Sequence, residues 1–223
     1  DVRYVGEPVA LIVADDRYIA EDAAELIFVD YEPEDPVVTV EQAASGPLVN
    51  PDLSSNLAFG FDSPEDPELD KAFADAAHVV RHRVVQGRAA VTPMETRAII
   101  ASRSMPDQLD IWLTSQNPHQ ARSYLSRRLG LGENRIRVIS PDVGGGFGQK
   151  FFVHRDEIAV CVAALLLGRP IKWVEDRAEA LIAGGHSRTA GRQRDAGFDV
   201  LHRPLPHPPR RGFGEGVVHQ HRQ

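Results

Sequence analysis

The spacing of apolar residues predicts both strands and helices along the first 188 residues of the chain. Segments with the period or composition of a strand are 5–14, 29–33, 80–85, 96–102, 109–114, 135–138 and 171–174. Segments with helical spacing are 19–28, 69–76, 118–129 and 156–167. Because strands and helices do not alternate strictly as βαβ units, the pattern predicts an α+β fold. The first three predicted elements, 5–14, 19–28 and 29–33, are expected to form a small β-α-β module that ends near Leu48.

Residues at the ends of two predicted helices support these assignments. Asn117 is a typical N-cap, Pro118 suits the first helical position, and Gly130 or Gly132 ends that helix. The later helix begins with two acidic residues, which suit its positive end, and it ends at Gly168. Its apolar run has about half the length that a bilayer requires. We therefore predict a buried core helix and no membrane span.

Two segments lack such patterns. Residues 50–68 are rich in Pro, Ser, Asp and Asn, which predicts a linker across the surface. The tail from Thr189 onward is rich in Arg, His and Pro, and we expect it to be irregular, either disordered or translated out of frame. A basic nucleic-acid arm and a histidine metal tract are the alternatives. The predicted divisions of the chain are a first domain over 1–48, a linker with a short helix over 49–77, a second domain over 78–188 and the irregular tail over 189–223.

Composition limits the class of protein. The chain has 223 residues and a net charge of −7, which argues against a nucleic-acid partner. A single cysteine, Cys161, excludes disulfides and cysteine-ligated clusters within the chain, and it indicates a reducing, cytoplasmic compartment. Cys161 lies in an apolar run, so we predict a buried structural thiol. The chain starts at Asp1 without a basic-then-apolar leader, and we expect it to be a fragment or a processed piece.

A glycine cluster is the strongest candidate for a ligand site. Residues 144–148 read Gly-Gly-Gly-Phe-Gly and follow a predicted strand. The dinucleotide pattern would require glycine in place of Gln149, and the P-loop pattern would require Ser or Thr in place of Phe151. We therefore predict a loop of another kind, whose main-chain N–H groups point at an anion. The alternative is a glycine-rich turn without a ligand.

Five motifs in a fixed order give the chain a family resemblance. They are VGEPVA at 5–10, PMETR at 93–97, SQNPH at 115–119, DVGGGFGQK at 142–150 and GRPIKWVEDR at 168–177. Over residues 1–188 the chain resembles the large subunit of the molybdenum hydroxylases, the xanthine dehydrogenase and aldehyde oxidase family, and most closely the carbon monoxide dehydrogenase-like members. The resemblance implies that 1–48 ends a hammerhead-like α/β domain and that 78–188 begins a mixed α/β molybdopterin-binding domain.

The resemblance also implies a chemistry. It implies a molybdenum cofactor, a molybdopterin that we expect in the cytosine dinucleotide form, and a small-molecule substrate. The reaction would be hydroxylation of an aldehyde, an N-heterocycle or a similar carbon centre with oxygen derived from water, or oxidation of carbon monoxide. Partner subunits would carry iron–sulfur clusters and FAD.

The cofactor-binding residues implied by the resemblance are Gln116, Gly145, Gly146, Phe147 and Gly148. Fixed backbone amides and a neutral carboxamide donate hydrogen bonds without reorganisation, as an oxo ligand or a pyrophosphate requires. Gln116 could instead be a strand-end residue bonded to local backbone. The resemblance assigns no direct metal ligand and no catalytic residue here, because the family's general base lies outside this chain.

The other polar motifs have simpler interpretations. We interpret PMETR as a structural turn with a pair between Arg97 and a carboxylate. We expect the remaining candidates to be solvated or capping side chains; they are His119, His154, Arg127, Arg128, Glu175 and Asp176.

Three hypotheses follow from the sequence. The first is the N-terminal portion of a molybdenum hydroxylase large subunit, inactive by itself. The second is a non-catalytic remnant that binds no cofactor. The third is an unrelated nucleotide-binding module, which the two failed phosphate motifs disfavour.

Overall fold

A computed structural model of the chain describes residues 2–57, 64–87, 89–185 and 190–198. The helices in these residues are α1 (Arg17–Glu25), α2 (Val40–Ser45), α3 (Pro67–Asp75), α4 (Pro118–Leu129), α5 (Arg155–Leu167) and α6 (Arg177–Ala183). The strands are β1 (His78–Gln86), β2 (Ala98–Met105), β3 (Gln108–Leu113), β4 (Ile136–Ile139), β5 (Ile171–Val174) and β6 (Ala190–Phe198). The predicted α+β class is confirmed.

The chain divides into two compact units, residues 1–33 with 90–186 and residues 34–89 with 187–223. The first unit is built on a four-stranded mixed sheet with the order β4-β3-β2-β5. Strand β2 pairs antiparallel with both β3 and β5, whereas β4 lies parallel to β3. A parallel pair requires a crossover connection, and α4 provides it between β3 and β4.

One face of this sheet forms the core of the first unit. Side chains alternate across a strand, so Ile99 and Ile111 are buried while their neighbours Ile100 and Trp112 are exposed. Helices α4 and α5 cover the buried face. The core consists of Ile99, Ala101, Leu109, Ile111, Leu113, Ala121, Leu125, Ile136, Val160, Cys161 and Ala164. The predicted burial of Cys161 is confirmed, and α5 is buried along one side while Leu166 is exposed at its end.

Local sequence sets the ends of α4 and α5 as predicted. The Asn117 side chain accepts a hydrogen bond from the backbone N–H of Gln120 at 3.2 Å, so it is the N-cap of α4. Gly130 ends α4 and Gly168 ends α5, with φ of 69° and 62°. Glycine reaches this left-handed region without the steric cost that a Cβ imposes.

The second unit contains α2, α3 and a two-stranded antiparallel sheet of β1 and β6. A capping box of Thr39 and Gln42 starts α2. The buried Asn56 side chain donates to the carbonyls of Ala43 and Pro47 and accepts from the N–H of Val49. One amide therefore joins α2 to the chain that follows it.

Two predictions need correction. Helix α1 of the predicted β-α-β module forms, but 5–14 and 29–33 form no strand among the described residues. A strand needs a hydrogen-bonded neighbour, and apolar alternation alone does not supply one. The tail prediction is wrong for 190–198, which pair with β1 from His78↔Phe198 to Gln86↔Ala190. Residues 199–223 lie outside the described part, and the predicted domain boundaries remain predictions.

Within the described residues, no helix combines the length and apolarity that a membrane crossing requires.

Candidate functional site

The glycine loop, residues 144–150, follows β4 as predicted and has an unusual backbone. Gly145, Phe147 and Gly148 have positive φ values of 95°, 49° and 92°. Positive φ is uncommon for a bulky residue such as phenylalanine and is held by the surrounding structure. The Phe147 side chain is exposed, at 75%. The loop therefore has a strained backbone that is exposed at Gly144, Phe147 and Gly148 and buried at Gly146.

Gln116 lies directly against this loop. Its carboxamide oxygen accepts hydrogen bonds from the backbone N–H of Gly148 at 3.0 Å and of Lys150 at 3.3 Å. The backbone N–H of Gln116 donates to the Lys150 carbonyl at 2.9 Å. A Cβ on Gly146 would overlap the Gln116 carboxamide. The close approach of these residues therefore requires glycine at position 146.

These bonds fix which end of the carboxamide faces outward. The oxygen of Gln116 is bonded to the loop, whereas its Nε2 has no hydrogen-bond partner in the described part of the chain. The residue is exposed. Gln116 thus presents two N–H donors beside the loop.

Glu95 ties the two ends of the loop together. Its Oε2 accepts from the backbone N–H of Gly144 at 2.8 Å and from Lys150 Nζ at 2.6 Å. In return the N–H of Glu95 donates to the Gly144 carbonyl at 3.2 Å. The Lys150 side chain is fully buried and that of Glu95 is 37% exposed. Burial raises the pKa of Glu95, but its bonds to Lys150 and Gly144 outweigh this and lower the pKa below its ordinary value.

Gln149 anchors the loop from its other side. Its side chain is buried, and Nε2 donates to the Ala180 carbonyl at 3.4 Å. A Cβ on Gly184 would overlap this amide. The Gln149 carbonyl is 3.1 Å from His154 Nε2 at the start of α5. Gln149 therefore fills a packed position.

A buried ion-pair network lies at the adjoining ends of β2, β5 and α5. The Arg97 guanidinium binds Asp156 through both terminal nitrogens, at 2.9 and 2.6 Å. It binds Glu175 through Nε and Nη2, at 3.0 and 2.6 Å. Arg97 and Glu175 are fully buried. Desolvation lowers the pKa of Arg97, but its bonds to the two carboxylates outweigh this and raise the pKa.

The network confirms one prediction and corrects another. Arg97 pairs with carboxylates as predicted for a structural turn. The expectation that Glu175 is solvated is wrong, because this side chain is buried and its carboxylate is bonded to Arg97. Its neighbour Asp176 is exposed and pairs with Arg17 at 2.5 Å.

Other titratable groups lie beside this network. Burial raises the pKa of Glu157 to about 8, although the backbone N–H of His154 and the charge of Arg97 oppose the rise. Burial, together with the charge of Arg97, lowers the pKa of His154. Burial and the nearby Glu157 raise the pKa of Cys161 to about 12, so this thiol is unreactive when folded.

The structure brings Gln116 together with the predicted glycine loop, and whether these residues hold a cofactor stays a prediction. The histidines differ: His119 is exposed, whereas His154 is partly buried at the start of α5. Arg127 and Arg128 are exposed, and Arg128 lies over the Tyr124 ring at 5.2 Å. Within the described residues, no cluster of three or more His, Cys, Asp or Glu side chains could hold a metal ion.

Sequence reasoning missed Glu95 and Lys150 as partners. Both residues belong to the quoted motifs, but they are 55 positions apart, and nothing in the sequence indicates that their side chains form a contact.

Comparison with known proteins identifies the family. The molybdopterin cofactor-binding domain model matches residues 49–200, and the model of the aldehyde oxidase and xanthine dehydrogenase a/b hammerhead domain matches residues 1–35. The large subunit of nicotine 6-hydroxylase from Paenarthrobacter nicotinovorans is 43% identical over 83% of this chain and 23% of its own length. The carbon monoxide dehydrogenase large chain from Hydrogenophaga pseudoflava is 34% identical over 84% of this chain and 25% of its own length.

A solved structure agrees with these matches. Quinoline 2-oxidoreductase from Pseudomonas putida 86 has a TM-score of 0.85 and 39% identity, covering 92% of this chain and 26% of the other. The chain spans about a quarter of the length of the curated relatives that it matches. A family model that covers most of the sequence, together with the fold, shows that the chain belongs to the molybdopterin cofactor-binding domain family of the molybdenum hydroxylases.

Proposed function

We propose that this chain binds molybdopterin at the glycine loop and serves in the large subunit of an oxidoreductase that hydroxylates an aromatic N-heterocycle. The N-heterocycle is favoured over an aldehyde or carbon monoxide by the names of two relatives. Nicotine and quinoline each contain a pyridine-type ring, and the proteins named for them are 43% and 39% identical to this chain.

The observation that carries the proposal is the fixed orientation of Gln116. Its oxygen is held by the N–H groups of Gly148 and Lys150, so its amide nitrogen is left to donate. A ligand with acceptor oxygens fits beside such donors, and the missing side chain at Gly146 allows the Gln116 carboxamide to pack against the loop in this orientation. The residues present therefore fit a molybdopterin.

We assign the binding roles to these residues of the chain. Gln116 would donate to an acceptor oxygen of the cofactor through Nε2, and Gly145, Gly146 and Phe147 would present the loop backbone. The N–H of Gly148 is bonded to the Gln116 oxygen and would hold that carboxamide in place. When bound, the molybdenum cofactor supplies the two-electron oxidation of a carbon centre with oxygen from water. The chain itself orients the acceptor oxygens with preorganised donors.

The general base is not assigned within this chain. Glu95 is a carboxylate bonded to the glycine loop, and the bonds of its Oε2 to Gly144 N–H and Lys150 Nζ lower its pKa. A carboxylate with a lowered pKa is a weak base. We therefore expect the base to come from a part of the large subunit beyond this chain.

We further propose the cytosine dinucleotide form of the cofactor and partner subunits with iron–sulfur clusters and FAD. The names of the relatives support separate subunits, since they include a large subunit, a subunit gamma of a dehydrogenase complex and a large chain. The single cysteine in 223 residues supports a cytoplasmic, reducing location.

Cofactor analysis of the purified chain tests the proposal. The chain is produced in a host that synthesises molybdopterin, and molybdenum is measured by mass spectrometry and the pterin by fluorescence after oxidative release. About one equivalent of each supports binding. Absence of both would favour the non-catalytic remnant. Gly146→Ala should lose both, whereas Gly185→Ala, where a Cβ meets open space, should keep both.

Substrate choice requires the assembled enzyme. Turnover with an artificial electron acceptor is compared for quinoline, an aromatic aldehyde and carbon monoxide. We expect turnover with quinoline and little with the other two. Preference for the aldehyde or for carbon monoxide would refute the N-heterocycle assignment and leave the cofactor assignment standing.

A further inference from the structure

We propose that Glu95 and Lys150 are positioning residues that hold the two ends of the glycine loop together. This contact, which we call loop closure, sets the orientation of Gln116. The pair acts through the loop backbone, and the inference rests on the proposed function because the loop is taken as the cofactor site.

One carboxylate oxygen joins both ends of the loop. Glu95 Oε2 lies 2.8 Å from Gly144 N, before the bend, and 2.6 Å from Lys150 Nζ, after it. The backbone bond from Glu95 N–H to the Gly144 carbonyl adds a second tie at the first end. A Cβ on Gly144 would approach the Glu95 Cβ to 2.6 Å, so the loop start packs directly against this residue.

Lys150 transmits this closure to Gln116. Its buried ammonium is held by Glu95, while its backbone N–H and carbonyl are bonded to the Gln116 carboxamide oxygen and N–H. A buried ammonium is stable only beside its counter-ion. The ion pair with Glu95 therefore holds the backbone of Lys150 in place, and that backbone holds Gln116 through its two hydrogen bonds.

Hydrogen exchange of the cofactor-free chain tests the closure. Exchange is measured by mass spectrometry for peptides that cover 143–151, β2 and β3. Glu95→Gln keeps the shape of the side chain but removes its charge. We expect exchange in 143–151 to rise about tenfold, the factor that corresponds to losing one charge-assisted hydrogen bond, while β2 and β3 keep their wild-type protection.

Two further variants separate positioning from general stability. Lys150→Arg keeps a cation opposite Glu95 and should retain slow loop exchange, whereas Lys150→Met should not. Lys71→Met is the matched control because Lys71 forms an exposed pair with Asp75 at 2.5 Å, and it should leave loop exchange unchanged. Unchanged loop exchange in Glu95→Gln would overturn the proposal. Loss of protection throughout β2 and β3, or failure of Glu95→Gln to fold, would also overturn it, because the pair would then stabilise the core as a whole.

Pterin content separates this inference from the proposed function. If the wild type carries pterin and Glu95→Gln loses it, the positioning role toward the cofactor is supported. Full pterin content in Glu95→Gln with a loosened loop would overturn that role and leave the proposed function intact. A wild type without pterin would refute the proposed function, whereas the exchange result would still decide whether the pair closes the loop.

Discussion

Replacement of Arg97 by methionine removes the cation from the buried network of Arg97, Asp156 and Glu175. Four side-chain hydrogen bonds to carboxylates disappear, two to each partner. The Glu175 side chain is fully buried and Asp156 is 16% exposed, so neither charge gains full access to water. The variant therefore leaves two carboxylates close together without their counter-ion.

The expected cost follows from this burial. Removing one partner of a buried ion pair costs about 3–5 kcal/mol, because a charge remains in the interior without compensation. Domains of this size unfold with a free energy of about 5–15 kcal/mol, so the loss is a large share of the total. With a urea dependence of about 2 kcal/mol per molar, the unfolding midpoint should fall by about 2 M.

Urea unfolding followed by tryptophan fluorescence measures this change. Trp173 is a suitable reporter, because its ring lies 5.3 Å from the Arg97 guanidinium carbon. The matched control is Arg135→Met, since Arg135 pairs with Asp107 at 3.4 Å and both side chains are more than half exposed. That control should cost less than about 1 kcal/mol.

A second substitution tests the cause. Adding Glu175→Gln to Arg97→Met removes one of the stranded charges, so the double variant should be more stable than Arg97→Met alone. If Arg97→Met is destabilised by no more than the Arg135 control, the network does not stabilise the first unit. If Glu175→Gln lowers the stability of Arg97→Met further, the unpaired buried carboxylates are not the cause of the lower free energy of unfolding.

Three further predictions concern single residues. Burial raises the pKa of Glu157 from its ordinary 4.5 to about 8, so the folded state keeps a proton that the unfolded state loses, and the free energy of unfolding should fall by up to about 1.4 kcal/mol per pH unit between these values. Urea unfolding at pH 5 and pH 8 should show this fall in the wild type and a smaller fall in Glu157→Gln; equal falls would contradict the assignment. Cys161 should resist a thiol reagent until urea unfolds the chain, and rapid labelling of the native protein would show that its burial is wrong. Gly146→Ala should raise hydrogen exchange at residues 148–150 by displacing the Gln116 carboxamide, whereas equal exchange in this variant and in Gly185→Ala would show that the close packing at 146 is unimportant.

The sequence predicted what local chemistry determines. Asn117 and Gly130 set the ends of α4 through a side-chain cap and a left-handed residue, and neither depends on distant contacts. The closeness of Gln116 to the glycine loop was predicted through the family resemblance and not through its spacing.

The sequence did not predict what depends on distant partners. Glu175 resembles a solvated charge in the sequence, yet it is buried and bonded to Arg97, which lies 78 residues earlier in the chain. Residues 190–198 have no strand period of their own, and their pairing with β1 makes them a strand. Conversely, 5–14 have strand composition but no partner strand among the described residues.

The exposure of the candidate site determines where its activity should be sought. Backbone and amide donors stabilise charge most strongly in a dry site, because water weakens each interaction. Gln116, Phe147 and Gly148 are all exposed in this chain. The chain also spans about a quarter of its curated relatives. We therefore expect catalysis to need further protein that encloses the loop, and we expect the chain alone to show weak turnover or none, even where it retains the cofactor.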